Sequence, residues 1–269
     1  MIFAFFGTDE FSVRALETLK GRGFAPTLIV TTPDRPKGRK MVLTPPAAKV
    51  WATANNIQCV QPERLKDFEF PLGPWDLFIV ASYGKIIPQA ILDVPTHGTL
   101  NIHPSLLPKY RGATPLESAI LSDDLETGVT IIKLDAEMDH GPILAKSRTL
   151  LDNKWCEELR DELAETGANT LADILPDWLA GKIEEQEQDH SQATFTRKVT
   201  KEDGLINLAD DPILNFKKIR AYTPWPGAYF FTDKNGKQTR IIIKKAHLEN
   251  KTLVIDRVIP EGKPEMDWH

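Results

Sequence analysis

The chain of 269 residues has few cysteines, no long apolar run and no excess of positive charge. Cys59 and Cys156 lie far apart in apolar or helical surroundings, which favours reduced structural thiols over a disulfide framework. No apolar run approaches the roughly 20 residues that a membrane-spanning helix needs. The apolar start, Met1–Gly7, lacks a basic flank and continues into Thr8-Asp9-Glu10. It therefore predicts the first buried strand of a cytoplasmic protein and not a signal peptide.

The net charge of −5 is unevenly distributed. Acidic side chains are concentrated in residues 152–190, whereas residues 191–269 are mildly basic. The acidic segment coincides with an amphipathic helical pattern, so its charge predicts a solvated helix face. The overall balance excludes a strongly basic nucleic-acid-binding protein, although a local basic surface for RNA remains compatible with it.

The signatures of several enzyme classes are missing. Gly7-Thr8-Asp9-Glu10 follows an apolar run and opens a helical pattern, but it has one glycine where a dinucleotide-binding turn has three. The single glycine argues against NAD binding and predicts a turn with a helix cap. The sequence has no Walker loop, no zincin helix and no Gly-x-Ser-x-Gly elbow. Its six histidines and two cysteines do not have the spacing of a metal site.

Apolar runs alternate with helical patterns through the first two thirds of the chain. The predicted strands are Ile2–Phe6, Pro26–Thr31, Ile57–Val60, Asp76–Ala81, Thr99–His103, Gly128–Leu134 and Ile143–Leu150. The predicted helices are Asp9–Lys20, Pro46–Asn55, Thr114–Leu121 and Cys156–Ala180. This alternation predicts βαβ units and an α/β fold with a mainly parallel sheet.

The last third is organised differently. Residues 181–200 are polar and aperiodic, and a β-rich module follows them. Its predicted elements are the helix Asp211–Tyr222 and the strands Ala228–Thr232, Gln238–His247 and Thr252–Val258. Asn235-Gly236 predicts a hairpin between the first two strands. We therefore expect a catalytic domain over residues 1–182, a linker over 183–200 and a small C-terminal domain over 201–269.

Asn101 and His103 are the most informative polar residues. They are two positions apart in a predicted strand, so their side chains leave the same face. Pro104 then ends the strand, and open α/β sheets bind ligands beyond the carboxyl ends of their strands. Taken alone, His103 favours a buried, hydrogen-bonded histidine. Read together with Asn101 and the downstream Asp139, it predicts an active site.

Several segments carry a resemblance to one family. They are Asn101–Pro115, Glu126–Thr130 and Asp139–Leu144, supported by Phe5–Ser12, Pro33–Lys40, Lys201–Gly204 and Arg220–Ala228. With these segments the chain resembles the folate-dependent formyltransferases. The resemblance implies a Rossmann-like sheet with helices on both faces, followed by an OB-like barrel that is abbreviated here. It also implies 10-formyltetrahydrofolate as co-substrate, with neither a metal nor NAD.

The resemblance assigns catalytic roles to Asn101, His103 and Asp139. Formyl transfer passes through a tetrahedral oxyanion, to which Asn101 and His103 would donate hydrogen bonds. Asp139 would orient His103, favour its protonated form and pass protons through water. The carboxylates of Asp135 and Glu137 compete for this role on sequence grounds, and the family pattern selects Asp139. His140 stands where that pattern has a small residue, and we expect it to point to solvent.

Two further sets of residues receive roles from the resemblance. Those expected to bind folate are Ser105, Leu106, Leu107, Pro108, Tyr83, Gly84 and Ile86. Those expected to contact transfer RNA are Arg35, Lys37, Arg39 and Lys40. For Tyr83 ordinary core packing is an equal alternative, and the basic residues are also compatible with a solvated turn.

The amine acceptor is less firmly indicated than the donor. The basic loop and Lys201–Gly204 favour family members that formylate initiator methionyl-tRNA for translation initiation, and we expect a monomer. A sugar-nucleotide amine is the main alternative, because the short tail leaves too few strands for a full barrel. A formyltetrahydrofolate hydrolase and a catalytically silent RNA-binding module are weaker alternatives.

Overall fold

The computed structural model describes residues 1–38, 41–71, 73–234 and 236–268. Its strands are β1 (Phe3–Gly7), β2 (Leu28–Val30), β3 (Arg35–Lys37), β4 (Val42–Thr44), β5 (Gln58–Val60), β6 (Leu77–Ala81), β7 (Thr99–His103), β8 (Arg111–Gly112), β9 (Glu126–Lys133), β10 (Ile143–Leu150), β11 (Phe195–Thr196), β12 (Tyr229–Lys234), β13 (Lys237–Glu249), β14 (Thr252–Pro260) and β15 (Met266–Asp267). Its helices are α1 (Glu10–Gly21), α2 (Ala47–Ala54), α3 (Gln89–Leu92), α4 (Pro115–Leu121), α5 (Cys156–Leu179) and α6 (Pro212–Tyr222). Across these residues, no helix combines the length and apolarity that crossing a bilayer requires.

The central sheet has seven strands in the order β10-β9-β7-β6-β1-β2-β5. β1 pairs in parallel with β2 and β6, β2 with β5, and β6 with β7, whereas β7 pairs antiparallel with β9. The predicted α/β fold with a mainly parallel sheet is thus confirmed. The β3–β4 hairpin and α3 were not predicted, because each has only three or four residues per element and too few positions for a periodic pattern.

The chain forms two compact units. The first comprises Met1–Gly112, Gly128–Thr149 and Arg160–Phe195, and the second comprises Ala113–Thr127, Leu150–Leu159 and Thr196–His269. Much of the segment predicted as a linker lies in the first unit. Its Gln186 exchanges two main-chain hydrogen bonds with Ile143, of 2.7 and 3.0 Å. Main-chain hydrogen bonds attach this segment to β10. Such bonds do not depend on an apolar face, so the segment shows no hydrophobic periodicity in the sequence.

The turn after β1 illustrates how the first unit packs. Asp9 caps α1, and its carboxylate accepts a hydrogen bond from the Ser12 amide, as the sequence predicted. A Cβ atom on Gly7 would lie 2.6 Å from the Ser12 side chain. The single glycine therefore permits close packing of α1 against the end of β1.

Helix α5 packs on one face of the sheet beside β7. A Cβ on Gly167 would lie 2.4 Å from a methyl group of Ile102 and 2.9 Å from one of Val129. Ile102 thus faces α5, and because side chains alternate along a strand, Asn101 and His103 leave the other face. This packing determines which face of β7 carries the polar pair.

The second unit is built on the antiparallel sheet β12-β13-β14-β15. Its core contains apolar side chains from α6 and from these strands, among them Ile219, Phe230, Ile243 and Val258. β12 pairs with β13 at the predicted position, although Asn235 of the turn lies outside the described residues. The β-rich character of this part is confirmed, since its sheet consists of four antiparallel strands.

Candidate active site

Strand β7 carries the two polar side chains into a buried setting. Asn101 retains 8% of its accessible surface and His103 retains 4%. Thr99, at the start of the same face, has its hydroxyl bonded to the Leu92 carbonyl. Buried amide and imidazole groups must find partners, since an unpaired one costs about 1–3 kcal/mol. Asn101 and His103 both lie beside one carboxylate, which comes from a distant turn.

That carboxylate belongs to Asp139. Its Oδ1 lies 3.4 Å from Asn101 Nδ2 and 3.6 Å from His103 Nδ1. Its Oδ2 accepts a hydrogen bond of 2.8 Å from the main-chain amide of Gly112. The Asp139 side chain keeps 14% of its surface exposed. The structure therefore brings the three predicted reactive side chains together at a place that solvent reaches.

His103 makes a second polar contact through its other ring nitrogen. Nε2 lies 3.0 Å from the carbonyl oxygen of Tyr110. A carbonyl only accepts, so Nε2 carries the proton and Nδ1 faces Asp139. The ring can therefore exchange a proton with bound reactants through Nδ1.

The competing carboxylates lie elsewhere. Asp135 accepts from the Glu137 amide and contacts His140 Nδ1 at 2.7 Å. His140 in turn stacks on the ring of His190, with centroids 4.1 Å apart and planes within 3°. His140 is thus half-buried and held by two partners. The sequence predicted that His140 points to solvent, whereas the structure places its side chain against Asp135 and His190.

Side chains of the neighbouring strands β9 and β10 hold the Ser105–Pro108 turn through hydrogen bonds. The Thr130 hydroxyl donates to the Ser105 carbonyl at 2.7 Å and accepts from the Leu107 amide at 3.0 Å. Lys146 Nζ donates to the Leu107 carbonyl at 2.5 Å, and burial lowers the pKa of this ammonium. The Leu107–Pro108 peptide is cis. Ser105 and Leu107 are fully buried, so Leu106 and Pro108 retain the exposed surface of the turn.

The loop after β6 lies at the same edge of the sheet, because β6 and β7 are parallel neighbours. Ser82 and Gly84 adopt positive φ angles of 52° and 77°. The Tyr83 side chain is buried against Phe6, and its burial raises the pKa of the phenol to about 12. Ile86 is 89% exposed. The Tyr83 side chain therefore belongs to the core, whereas Ile86 exposes an apolar side chain to solvent.

The predicted RNA-contacting residues are partly described. Arg35 and Lys37 are exposed on β3, and Arg35 lies 3.4 Å from Glu63. Arg39 and Lys40 lie outside the described residues. After the turn, the side chains of Met41, Val42 and Leu43 are 59–68% exposed. The β3–β4 hairpin thus presents basic and apolar side chains to solvent.

Sequence reasoning gave no role to four groups that support the site: the Gly112 amide, Thr130, Arg111 and Gln188. Thr130 had a detectable signal, since it is a hydroxyl within an apolar strand. Main-chain amides and residues of aperiodic segments carry no comparable pattern. Over the described ranges, no cluster of three or more histidine, cysteine, aspartate or glutamate side chains is placed to hold a metal ion.

Comparison of the chain with models of known protein families identifies its family. A model described as formyl transferase matches residues 1–175, and one described as formyl transferase, C-terminal domain, matches residues 198–253. The chain belongs to the formyl transferase family. The resemblance inferred from the sequence is therefore confirmed, as is the assignment to an enzyme family.

Curated relatives within the family agree with this assignment. The methionyl-tRNA formyltransferase of Chloroflexus aggregans is 46% identical, over 86% of this chain and 76% of the relative. The methionyl-tRNA formyltransferase of Listeria monocytogenes is 37% identical, over 98% of this chain and 93% of the relative. The similarity thus extends through both units.

Solved structures confirm the fold. A methionyl-tRNA formyltransferase from Clostridium thermocellum superposes with a TM-score of 0.62 at 19% identity, covering 97% of this chain and 98% of that one. HypX from Aquifex aeolicus, in complex with tetrahydrofolic acid, superposes with a TM-score of 0.66 at 20% identity, over 93% of this chain and 38% of that one.

Proposed function

We propose that this formyltransferase moves the formyl group of 10-formyltetrahydrofolate to the α-amino group of initiator methionyl-tRNA, in the cytoplasm and as a monomer. The principal support is the set of relatives named methionyl-tRNA formyltransferase, which match at up to 46% identity. The geometry of Asn101, His103 and Asp139 supplies the chemistry that such a transfer needs.

In the proposed reaction the amine nitrogen attacks the formyl carbon, and a tetrahedral oxyanion forms. Asn101 Nδ2 donates a hydrogen bond to the oxyanion. The bond from carbon to N10 then breaks, N10 gains a proton and the amine loses one. His103 Nδ1 and the Asp139 carboxylate, 3.6 Å apart, are the groups that accept and return this proton.

The donor is proposed to bind at the carboxyl edge of β6 and β7. The Ser105–Pro108 turn and residues 83–86 border this edge, and main-chain groups there can recognise the polar edge of a pterin. Ile86 contributes an exposed apolar side chain for a planar ring to cover. The acceptor RNA is proposed to contact Arg35, Lys37, Arg39 and Lys40 through its phosphates.

The test is to incubate the protein with 10-formyltetrahydrofolate and compare three acceptors: initiator methionyl-tRNA, amino-sugar nucleotides and water. We expect formyl transfer to methionyl-tRNA that exceeds transfer to the other two by orders of magnitude. Reaction with a sugar nucleotide and not with the tRNA would overturn the proposal while leaving the family assignment in place. Hydrolysis alone would identify a formyltetrahydrofolate hydrolase.

A further inference from the structure

Gln188 is a buried amide in an otherwise exposed segment. Its exposure is 5%, whereas its neighbours Glu187 and Asp189 face solvent. Nε2 donates to the Asp139 carbonyl at 2.9 Å and to the Gly141 carbonyl at 2.8 Å. Oε1 accepts from Arg111 Nε at 3.2 Å and Nη2 at 2.7 Å. Both donor hydrogens and both acceptor sites are used, and a flipped amide would set donor against donor.

The turn that Gln188 contacts has an unusual main chain. Asp139 has a φ angle of 51°, in the left-handed region that costs a residue with a side chain about 1–3 kcal/mol where the surroundings do not stabilise it. At Gly141 a Cβ would lie 1.9 Å from the Lys133 carbonyl oxygen. Gln188 bonds the carbonyls of both residues, on either side of His140. These bonds stabilise the conformation that aims the Asp139 side chain.

Arg111 connects Gln188 to the carboxylate itself. It is buried, and its neighbour Gly112 donates the amide hydrogen bond to Asp139 Oδ2. Its Nη2 also lies 2.8 Å from His190 Nδ1, which must accept because a guanidinium only donates. Strand β8 thus contacts Asp139 directly through Gly112 and indirectly through Arg111 and Gln188.

We propose that Gln188 is a positioning residue that fixes the Asp139 carboxylate beside Asn101 and His103, acting through the main chain of the Asp139–Gly141 turn. The inference rests on the proposed function, since it requires Asp139 to take part in formyl transfer. A displacement of about 1 Å at a reacting group lowers rates by about 100-fold. Gln188 donates two main-chain hydrogen bonds to this turn, and their loss removes the restraint that opposes such a displacement.

Two variants separate the contacts of Gln188. Gln188→Glu keeps the shape and the bonds to Arg111 but cannot donate to the two carbonyls, and Gln188→Met keeps only the length. We expect kcat to fall by about 10- to 100-fold in both, with KM for folate and for tRNA changed by less than about 3-fold. Gln186→Glu and Gln186→Met, at an exposed side chain of the same segment, are the controls and should retain wild-type kcat.

A double-mutant comparison tests whether Gln188 acts through Asp139. In an Asp139→Asn background, Gln188→Glu should lower kcat by less than about 2-fold further. Unchanged kcat in a folded Gln188 variant would overturn the inference, as would a full additional loss in that background. Circular dichroism that finds both variants unfolded at the assay temperature would also overturn it, by assigning Gln188 to folding. Failure of the proposed function is a separate result, because the wild-type protein itself would then not formylate the tRNA.

Discussion

His103 donates to the Tyr110 carbonyl through Nε2, at 3.0 Å, and presents Nδ1 to the Asp139 carboxylate at 3.6 Å. The carbonyl cannot donate, so a neutral ring with its proton on Nδ1 would place two lone pairs against each other at Nε2. The neutral ring is therefore held in one tautomer. In the proposed reaction, a proton therefore enters the ring at Nδ1, the nitrogen that faces Asp139.

This arrangement predicts a catalytic requirement for the Asp139 charge. Asp139→Asn keeps the size of the side chain and an oxygen for the Gly112 amide, but it removes the base. We expect kcat to fall by about 100- to 10,000-fold with little change in thermal unfolding. Steady-state kinetics with saturating folate will measure it. Asp177→Asn, at an exposed ion pair with Lys182, is the control, and a loss below about 3-fold at Asp139 would contradict the prediction.

The Tyr83 hydroxyl is buried and has no hydrogen-bond partner within the described part of the chain. Tyr83→Phe removes an unsatisfied polar atom, so we expect the free energy of unfolding to rise by about 1 kcal/mol. KM for folate should stay unchanged, because the side chain lies in the core. Urea unfolding and folate titration of the rate measure the two quantities. A several-fold rise in that KM would show that the hydroxyl reaches the ligand.

Gly141 lies where its main chain approaches the Lys133 carbonyl. Gly141→Ala would place a methyl group 1.9 Å from that oxygen, so the main chain of the turn that carries Asp139, or that of Lys133, must shift. We expect a loss of about 2 kcal/mol or more in unfolding free energy, together with a strong loss of kcat. Gly21→Ala, at the end of α1 with nothing within 4 Å, should be neutral or stabilising. Equal stabilities of the two variants would contradict the close approach.

Particular residues show what the sequence could predict. Asn101 and His103 were placed on one face of a strand because alternation is a local property, and the long helix α5 was found by its periodicity. The contact of Asp139 with them could not be derived from spacing, since the turn after β9 folds back by way of Gly112 and Gln188. The β3–β4 hairpin was missed because its exposed three-residue strands bury no face. Periodic sequence patterns indicate which faces are buried. The position of Asp139 and the β3–β4 hairpin depend instead on hydrogen bonds, which leave no such pattern.

Asp203 predicts a pH dependence of stability in the second unit. Arg197 and the Thr200 amide bond its carboxylate and hold its pKa well below the usual 3.8. At pH values well above 3.8 the carboxylate is ionised in both folded and unfolded chains, and its stabilisation is fully present. As the pH falls from 3.8 toward the lower pKa of the folded state, the unfolded chain binds a proton first and the stabilisation is lost progressively. Asp203→Asn should therefore be less stable than wild type at pH 7, and the difference should shrink toward pH 2.

Urea unfolding at a series of pH values measures this difference. Asp267→Asn, at a carboxylate whose side chain is 72% exposed, serves as the control. A stability gap between wild type and Asp203→Asn that is constant from pH 7 to pH 2 would contradict the assigned role of the ion pair.

The exposed basic residues of β3 predict a salt-dependent contact with the acceptor. Arg35→Ala combined with Lys37→Ala should raise KM for methionyl-tRNA, leave KM for folate unchanged and reduce the dependence of binding on salt concentration, because fewer phosphate counterions are released. Lys182→Ala is the control, at an exposed lysine of the same charge. An equal rise in KM for methionyl-tRNA in the double variant and in Lys182→Ala would indicate general charge attraction and not a defined contact.

The hydrogen bond between Gln188 and the Asp139 carbonyl joins residues that are 49 positions apart. During synthesis the ribosome therefore releases Asn101, His103 and Asp139 well before the residue that secures the last of them. A nascent chain that ends ahead of Gln188 contains all three of these side chains but lacks the two hydrogen bonds that Gln188 donates to the Asp139–Gly141 turn. Under the proposed role of Gln188, the site is completed only after residue 188 has been synthesised, so its assembly is a late event in the maturation of the first unit.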